Sequence, residues 1–261
     1  MESEAAGPGN WSVHKFGGTS LADPGRIRHV LSLVEEQRLP TAVVVSAMSG
    51  VTDRLLDLVE TAPADPDTLR ERLEGLCDEQ RAVITEMLPG SEADPLLRAL
   101  DENEAEISDV LRATHLMRDA SETARDLVAG YGELWSARLL AGVLRARGIE
   151  AASCNARNVL VVEHGRLGPV VDWDATRERF GAWRDEQDAD VYVITGFIAT
   201  TSDGVPTTLG RNGSDHSAAI FASLLEADAL TIWTDTDGVM SADPRYVPDA
   251  HTLDTLTYEE A

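Results

Sequence analysis

The chain has 261 residues, and its 46 acidic side chains outnumber 22 basic ones for a formal charge of -24. So negative a surface repels nucleic acid and anionic membranes, and neither is expected as a partner. The length suits one large α/β domain with a substantial core, and the two cysteines, Cys77 and Cys154, lack metal-ligand spacing and read as buried free thiols.

The opening MESEAAGPGN is acidic and has no apolar core of the signal-peptide kind, so residues 1–12 are expected to form a disordered leader. No apolar run approaches membrane-spanning length, and a cytoplasmic location is expected. Val13 to Phe16 reads as a short strand, GGTS as a turn, and DPGRIRHVLSLVEEQ as a helix with Ile27, Val30, Leu31 and Val34 on one face. TAVVVSA at 41–47 is a β-branched run of the kind buried on both faces of a parallel sheet. MSGVTD then forms a loop, and RLLDLVETA begins another helix.

Residues 65–128 differ in character. Leu69, Leu73, Leu76, Val83 and Met87 mark one helical stripe, Pro89 and Gly90 break it, and a second long helix runs from about residue 95 through EISDVLRATHLM. This stretch is expected to be a charged helical insertion on the sheet's edge. A third helix, ELWSARLLAGVLRARG, ends at Gly148 with arginines in its last turn, which suits the helix dipole. EAASC, VLVV, VYVITGFIA, PTTLG and LTIWTD follow as strand candidates, with the helix SDHSAAIFASLLEAD among them, capped by Ser214. Strands alternating with helices predict an α/β layered fold, one domain from residue 13 onward.

Several polar loops fall at candidate strand ends, where open parallel sheets bind ligands. KFGGTS places Lys15 before Gly17 and Gly18, and a strand–glycine turn–helix unit aims backbone N–H groups at an anion. Taken alone it is equally a plain turn, and the P-loop pattern is absent. In SAMSGVTD, Ser46 and Thr52 are hydroxyl donors suited to a carboxylate or phosphate, or to capping the next helix. GYGELW sets Glu133 at a helix start, where a carboxylate complements the dipole or meets a ligand ammonium. LGRNGSDHS offers Arg211 for bidentate anion binding, a tight turn that Gly213 completes with positive φ, and Ser214 and Asp215 at a helix start. WTDTDGVMSADPR lacks the spacing of a calcium loop and suits contact with a nucleotide or a simple turn. Together these features point to an enzyme acting on an anionic, phosphorylated ligand.

The five ordered motifs KFGGTS, VVVSAMSGVTD, GYGELWSA, GFIATTSDGVPTTLGRNGSD and TIWTDTDGVMSADPR resemble the catalytic domain of the aspartokinases, within the amino acid kinase superfamily. GELWSA, ARNVLVV and LTIWTDTDGVMSADPR look most like the kinase half of bifunctional aspartokinase–homoserine dehydrogenases. The resemblance implies a three-layer αβα sandwich with a mainly parallel central sheet, and phosphoryl transfer from ATP with Mg²⁺ to the side-chain carboxylate of L-aspartate. By motif position, Lys15, Gly17 and Gly18 hold the transferring phosphate, with Lys15 and Asp215 as the catalytic pair. Ser46, Thr52, Glu133, Arg211, Ser214 and Asp215 position aspartate, and Thr234, Asp235, Met240 and Arg245 line the nucleotide site. Met240 stands where relatives commonly carry tyrosine. The resemblance further implies that the kinase domain continues past TYEEA, so that the chain is truncated at its C-terminus. Copies associate as a homo-oligomer in related enzymes, mostly through regions outside these residues.

Overall fold

The computed structural model describes residues 11–64, 68–166, 168–234, 238–243, 245–247 and 249–257. The first strand, β1 (Ser12–Phe16), leads through a 3₁₀ turn at Gly18–Leu21 into α1 (Pro24–Glu35). Asp23 caps α1 by accepting the Arg26 backbone N–H at 2.9 Å, and Pro24 occupies a first-turn position that needs no donor. The helix buries Ile27, Val30, Leu31 and Val34, the four positions marked by their spacing. β2 (Thr41–Val45) is buried at every position, as its β-branched run requires, and α2 (Val51–Thr61) follows.

The helical region comprises α3 (Leu69–Met87), α4 (Asp94–Met117) and α5 (Glu122–Ala129), and α6 (Tyr131–Ala146) returns to the sheet. The α3–α4 hairpin packs on α1, α2 and α6, where the sequence suggests the sheet's edge. Its apolar stripes meet a helix layer, and its charged faces carry ion pairs such as Arg81 with Asp101 at 2.8 Å.

Next come β3 (Ala151–Cys154), α7 (Ala156–Val159), β4 (Val161–Gly165), β5 (Gly168–Val171) and α8 (Trp173–Asp185). Then follow β6 (Val191–Thr195), β7 (Ile198–Thr201), β8 (Pro206–Thr208), α9 (Gly213–Leu224) and β9 (Ala229–Trp233). Five strands form a parallel sheet in the order β3-β6-β2-β1-β9, with Phe16 level with Val45 and Trp233, and Val45 level with Thr195. Their carboxyl ends therefore stop on one line. Helix α6 lies on β2, β3 and β6 and touches α1, whereas α9 lies on β1, β2 and β9 and meets α8 through Phe180 and Phe221, whose ring centroids are 5.3 Å apart. The result is the three-layer α/β sandwich. At its end β9 is an edge strand among the described residues, with Leu230 36% and Ile232 45% exposed.

Two expectations are corrected here. Trp11 and Ser12, assigned by sequence to a leader, belong to the fold: Trp11 stacks on Tyr192 at 4.7 Å and Ser12 begins β1. VYVITGFIA is two strands in different sheets, because Phe197 takes a left-handed φ of 66° between β6 and β7. There its N–H donates to Ser217 Oγ at 3.0 Å and its carbonyl accepts from Leu209 N–H at 2.7 Å. Beside the parallel sheet, β5-β4-β7-β8 form a second, mixed one.

Candidate functional site

A cleft of about 470 Å³ opens where the parallel strands end. β1 and its turn bring Lys15, Gly18 and Thr19; the loop after β2 brings Ser46 through Gly50, with Thr52 in the first turn of α2. Glu133 arrives in the first turn of α6, Phe197 from between β6 and β7, and Asn212 through Asp215 at the head of α9. Two glycines set how closely these segments meet. A Cβ on Gly18 would lie 2.8 Å from the Ala47 carbonyl oxygen, and one on Gly132 would lie 2.5 Å from Ala47 Cβ. Both distances are shorter than a real side chain tolerates, so these sites need glycine for the loops to touch.

The cleft is polar and ionic. Lys15 Nζ sits 2.6 Å from Asp215 Oδ1, joining the end of β1 to the start of α9. Ser46 Oγ donates to Ser214 Oγ at 2.9 Å, tying the β2 loop to the same helix start. Ser214 is thus not the cap that its sequence suggests. Helix α9 begins at Gly213, and Asn212, not Gly213, adopts the left-handed conformation, with φ of 57°. Asparagine is among the few residues besides glycine that take this region readily.

Glu133 is the deepest charged group in the cleft, with 3% of its surface exposed. Burial pushes its carboxyl up to about 7, against the opposing pull of the Ala47 amide, its own amide and the Arg157 guanidinium. Its Oε2 is buried and has no hydrogen-bond partner in the protein. A buried carboxylate oxygen without a protein donor suits a donor carried by a ligand, such as an ammonium group.

Lys15, Gly18, Ser46, Thr52, Glu133, Ser214 and Asp215 therefore share one cleft. Gly17 lies beside it, so that its Cβ would be 3.6 Å from Lys15 Nζ. Arg211 is exposed at the rim, between the lining residues Gly210 and Asn212. Thr234 lines a separate cavity of about 290 Å³ with Phe16 and Trp233, and Thr19 borders both spaces. Met240 bridges to Thr252, and Arg245 pairs with Asp243 at 2.7 Å; neither lines the cleft. Asp235 lies outside the described residues. Sequence reasoning missed Phe197 and the half-buried Arg157. No local signal marks a left-handed phenylalanine, and only the site itself shows what Arg157 touches.

A lysine at a strand end, glycine-lined backbone, paired hydroxyls and a proton-holding carboxyl make a site for a small zwitterion beside an anion. Comparison with known proteins is consistent with this chemistry. The amino acid kinase family profile matches residues 10–261. The bifunctional aspartokinase/homoserine dehydrogenase 1 of Arabidopsis thaliana chloroplasts is 42% identical over 259 residues, covering 97% of this chain and 28% of the relative. The bifunctional aspartokinase/homoserine dehydrogenase 2 of Escherichia coli is 35% identical, covering 98% and 31% respectively. The chain thus spans less than a third of the curated relatives it matches. Among solved structures, E. coli aspartokinase III with aspartate and ADP superposes with a TM-score of 0.81 at 30% identity, over 94% of this chain and 54% of that one.

Proposed function

The chain belongs to the amino acid kinase family, and on that premise we propose that it transfers the terminal phosphoryl group of ATP, with Mg²⁺, to the side-chain carboxylate of L-aspartate. The product is 4-phospho-L-aspartate, which serves lysine, threonine and methionine synthesis, and we assign the reaction to the cytoplasm. No helix among the described residues is long and apolar enough to cross a membrane. The observation that carries the proposal is the placing of Glu133 and the Lys15–Asp215 pair in one cleft. One buried acid awaits an ammonium group, and one ammonium is aimed where phosphate charge would develop.

Bound ATP supplies the transferable group, and the chain supplies position and charge. Lys15 lies at the end of β1, where its ammonium neutralises charge on the transferring phosphoryl group. Asp215 holds Lys15 in place by the 2.6 Å ion pair. Glu133 takes the substrate ammonium and gives up its proton as it does so. Ser46 and Ser214 present hydroxyls to the substrate, Thr52 adds a third, and Arg211 at the rim fits the α-carboxylate. The acceptor carboxylate is already ionised at neutral pH, so no general base is required. Gly17 and Gly18 fit the phosphates, because a glycine turn after a strand leaves its backbone N–H groups open to an anion. Mg²⁺ bound with ATP would supply further charge neutralisation for the transferring group. Thr234, Asp235, Met240 and Arg245 remain proposed nucleotide contacts.

A second reading, ligand binding without turnover, draws on the distance of Met240 and Arg245 from the cleft. Hydroxylamine trapping separates the two. Hydroxamate that requires both ATP–Mg²⁺ and L-aspartate establishes the kinase; none from a folded sample that still binds L-aspartate leaves the binding module.

A further inference from the structure

Glu133 is reached from behind by a residue that the proposed reaction does not use. Arg157, on α7, donates through Nη2 to the carbonyls of Asp126 at 2.9 Å and Leu127 at 2.7 Å, both in α5. Its guanidinium carbon lies 5.8 Å from the ring centroid of Tyr131, the first residue of α6. It fits so closely beneath the α5–α6 junction that a Cβ on Gly130 would fall 2.2 Å from Nη2. On its other side Tyr131 donates to Glu106 of α4 at 2.8 Å. Glu133 follows two residues later in the same helical turn.

Arg157 Nε and Glu133 Oε2 are both buried without a hydrogen-bond partner in the protein, as is Ser136 Oγ one turn further along α6. A guanidinium largely removed from water is costly unless opposite charge lies near, and the titratable groups whose fields favour its charged form are Tyr131, Glu133 and Asp126, of which the two carboxyls can carry negative charge near neutral pH. Asp126 is already engaged by the hydroxyls of Thr207 and Thr208. We propose that Arg157 is a positioning residue for Glu133, clamping the turn that carries it and supplying the counter-charge that lets its carboxylate form when a cationic ligand group arrives. Lys15 and Asp215, the other charged residues lining the cleft, are paired with each other at 2.6 Å. Arg157 is therefore the cation whose field Glu133 feels most directly.

The inference deepens the aspartate reading, but its first test does not require turnover. The Glu133 carboxyl is followed by ¹³C NMR against pH, its signal assigned by loss in Glu133→Gln. Arg157→Gln keeps donors for the two carbonyls and removes the charge. The Glu133 midpoint is expected to rise by about one pH unit, and in Arg157→Lys to stay near the wild-type value. Should Arg157→Gln fail to fold, Arg157→Lys decides alone: it keeps the charge and loses the paired bonds, and a raised midpoint there overturns the proposal. In turnover, Arg157→Gln should raise KM for L-aspartate about tenfold with kcat little changed, and Arg157→Lys, which keeps the charge, should raise it less. An unmoved midpoint in folded Arg157→Gln overturns the counter-charge even if KM rises, since that pattern describes a clamp alone. If the wild type makes no hydroxamate, the aspartate reading fails while the titration still decides the role of Arg157.

Discussion

Replacing Glu133 by glutamine should change how the stability of the protein depends on pH. The carboxyl ordinarily titrates at 4.5 and is held at about 7 in the folded chain. Between those values the folded form keeps a proton that the unfolded form releases, so stability falls as pH rises. The contribution is favourable below about pH 4.5, is lost progressively up to about 7, and is level above. At ~1.4 kcal/mol per pH unit, the span from 4.5 to about 7 amounts to ~3 kcal/mol of destabilisation by the ionised group at pH 8. Urea unfolding of wild type and Glu133→Gln at pH 5 and pH 8 measures this difference directly. The glutamine protein should lose less stability than wild type on going from pH 5 to pH 8, by ~2 kcal/mol, since pH 5 already lies above the unfolded value. Taking the difference cancels other groups that titrate in the window, such as His14, which burial pushes the opposite way. Equal pH slopes in the two proteins would refute the assignment of a protonated acid to the floor of the cleft. On the proposed function, L-aspartate binding at pH 6 should also release close to one proton, measurable by calorimetry in buffers of different ionisation enthalpy.

Lys15→Ala should keep the fold and reduce hydroxamate formation by roughly 100-fold or more, the scale seen when one charge-stabilising donor is removed; wild-type turnover would remove Lys15 from the chemistry. Gly18→Ala places its methyl 2.8 Å from the Ala47 carbonyl, and should cost ~1–3 kcal/mol in urea unfolding together with a loss of turnover. Unchanged stability would show that the two loops separate freely. Ser46→Ala breaks the 2.9 Å bond to Ser214 and should lower stability by about 1 kcal/mol, with KM for L-aspartate rising more than kcat falls. An unaffected KM would take Ser46 out of the substrate site.

Much of this was legible because local chemistry and tertiary structure agree. The stripe at Ile27, Val30, Leu31 and Val34 and the β-branched run at Thr41–Val45 are buried as their periodicity requires. The cleft could be anticipated from motifs at strand ends, and seven of the predicted residues line it together. What escaped depends on contacts distant in sequence. The break at Phe197 is stabilised by Ser217 and Leu209, which no window around GFIA contains. The positive φ fell on Asn212 rather than Gly213, because both can adopt it and the helix start decides between them. Ser214 looked like a cap because it precedes an acidic, apolar run, yet its hydroxyl bonds Ser46, 168 residues away in sequence. Glu133 read as a dipole-compensating carboxylate, and only burial shows it as an acid that can hold its proton near neutrality.

The rim of the sheet at β9 has a bearing on handling and evolution rather than on catalysis. Among the described residues β9 has no strand on its outer side, and an edge with the apolar Leu230 and Ile232 partly in water is a template for edge-to-edge association. The formal charge of -24 works against that, since two such chains approach each other through strong mutual repulsion. The acidity that argues against a nucleic-acid partner also acts as a colloidal gatekeeper for this edge. Its range is the Debye length, ~10 Å at 0.1 M salt and ~3 Å at 1 M, so concentrated salt removes the protection while leaving the edge in place.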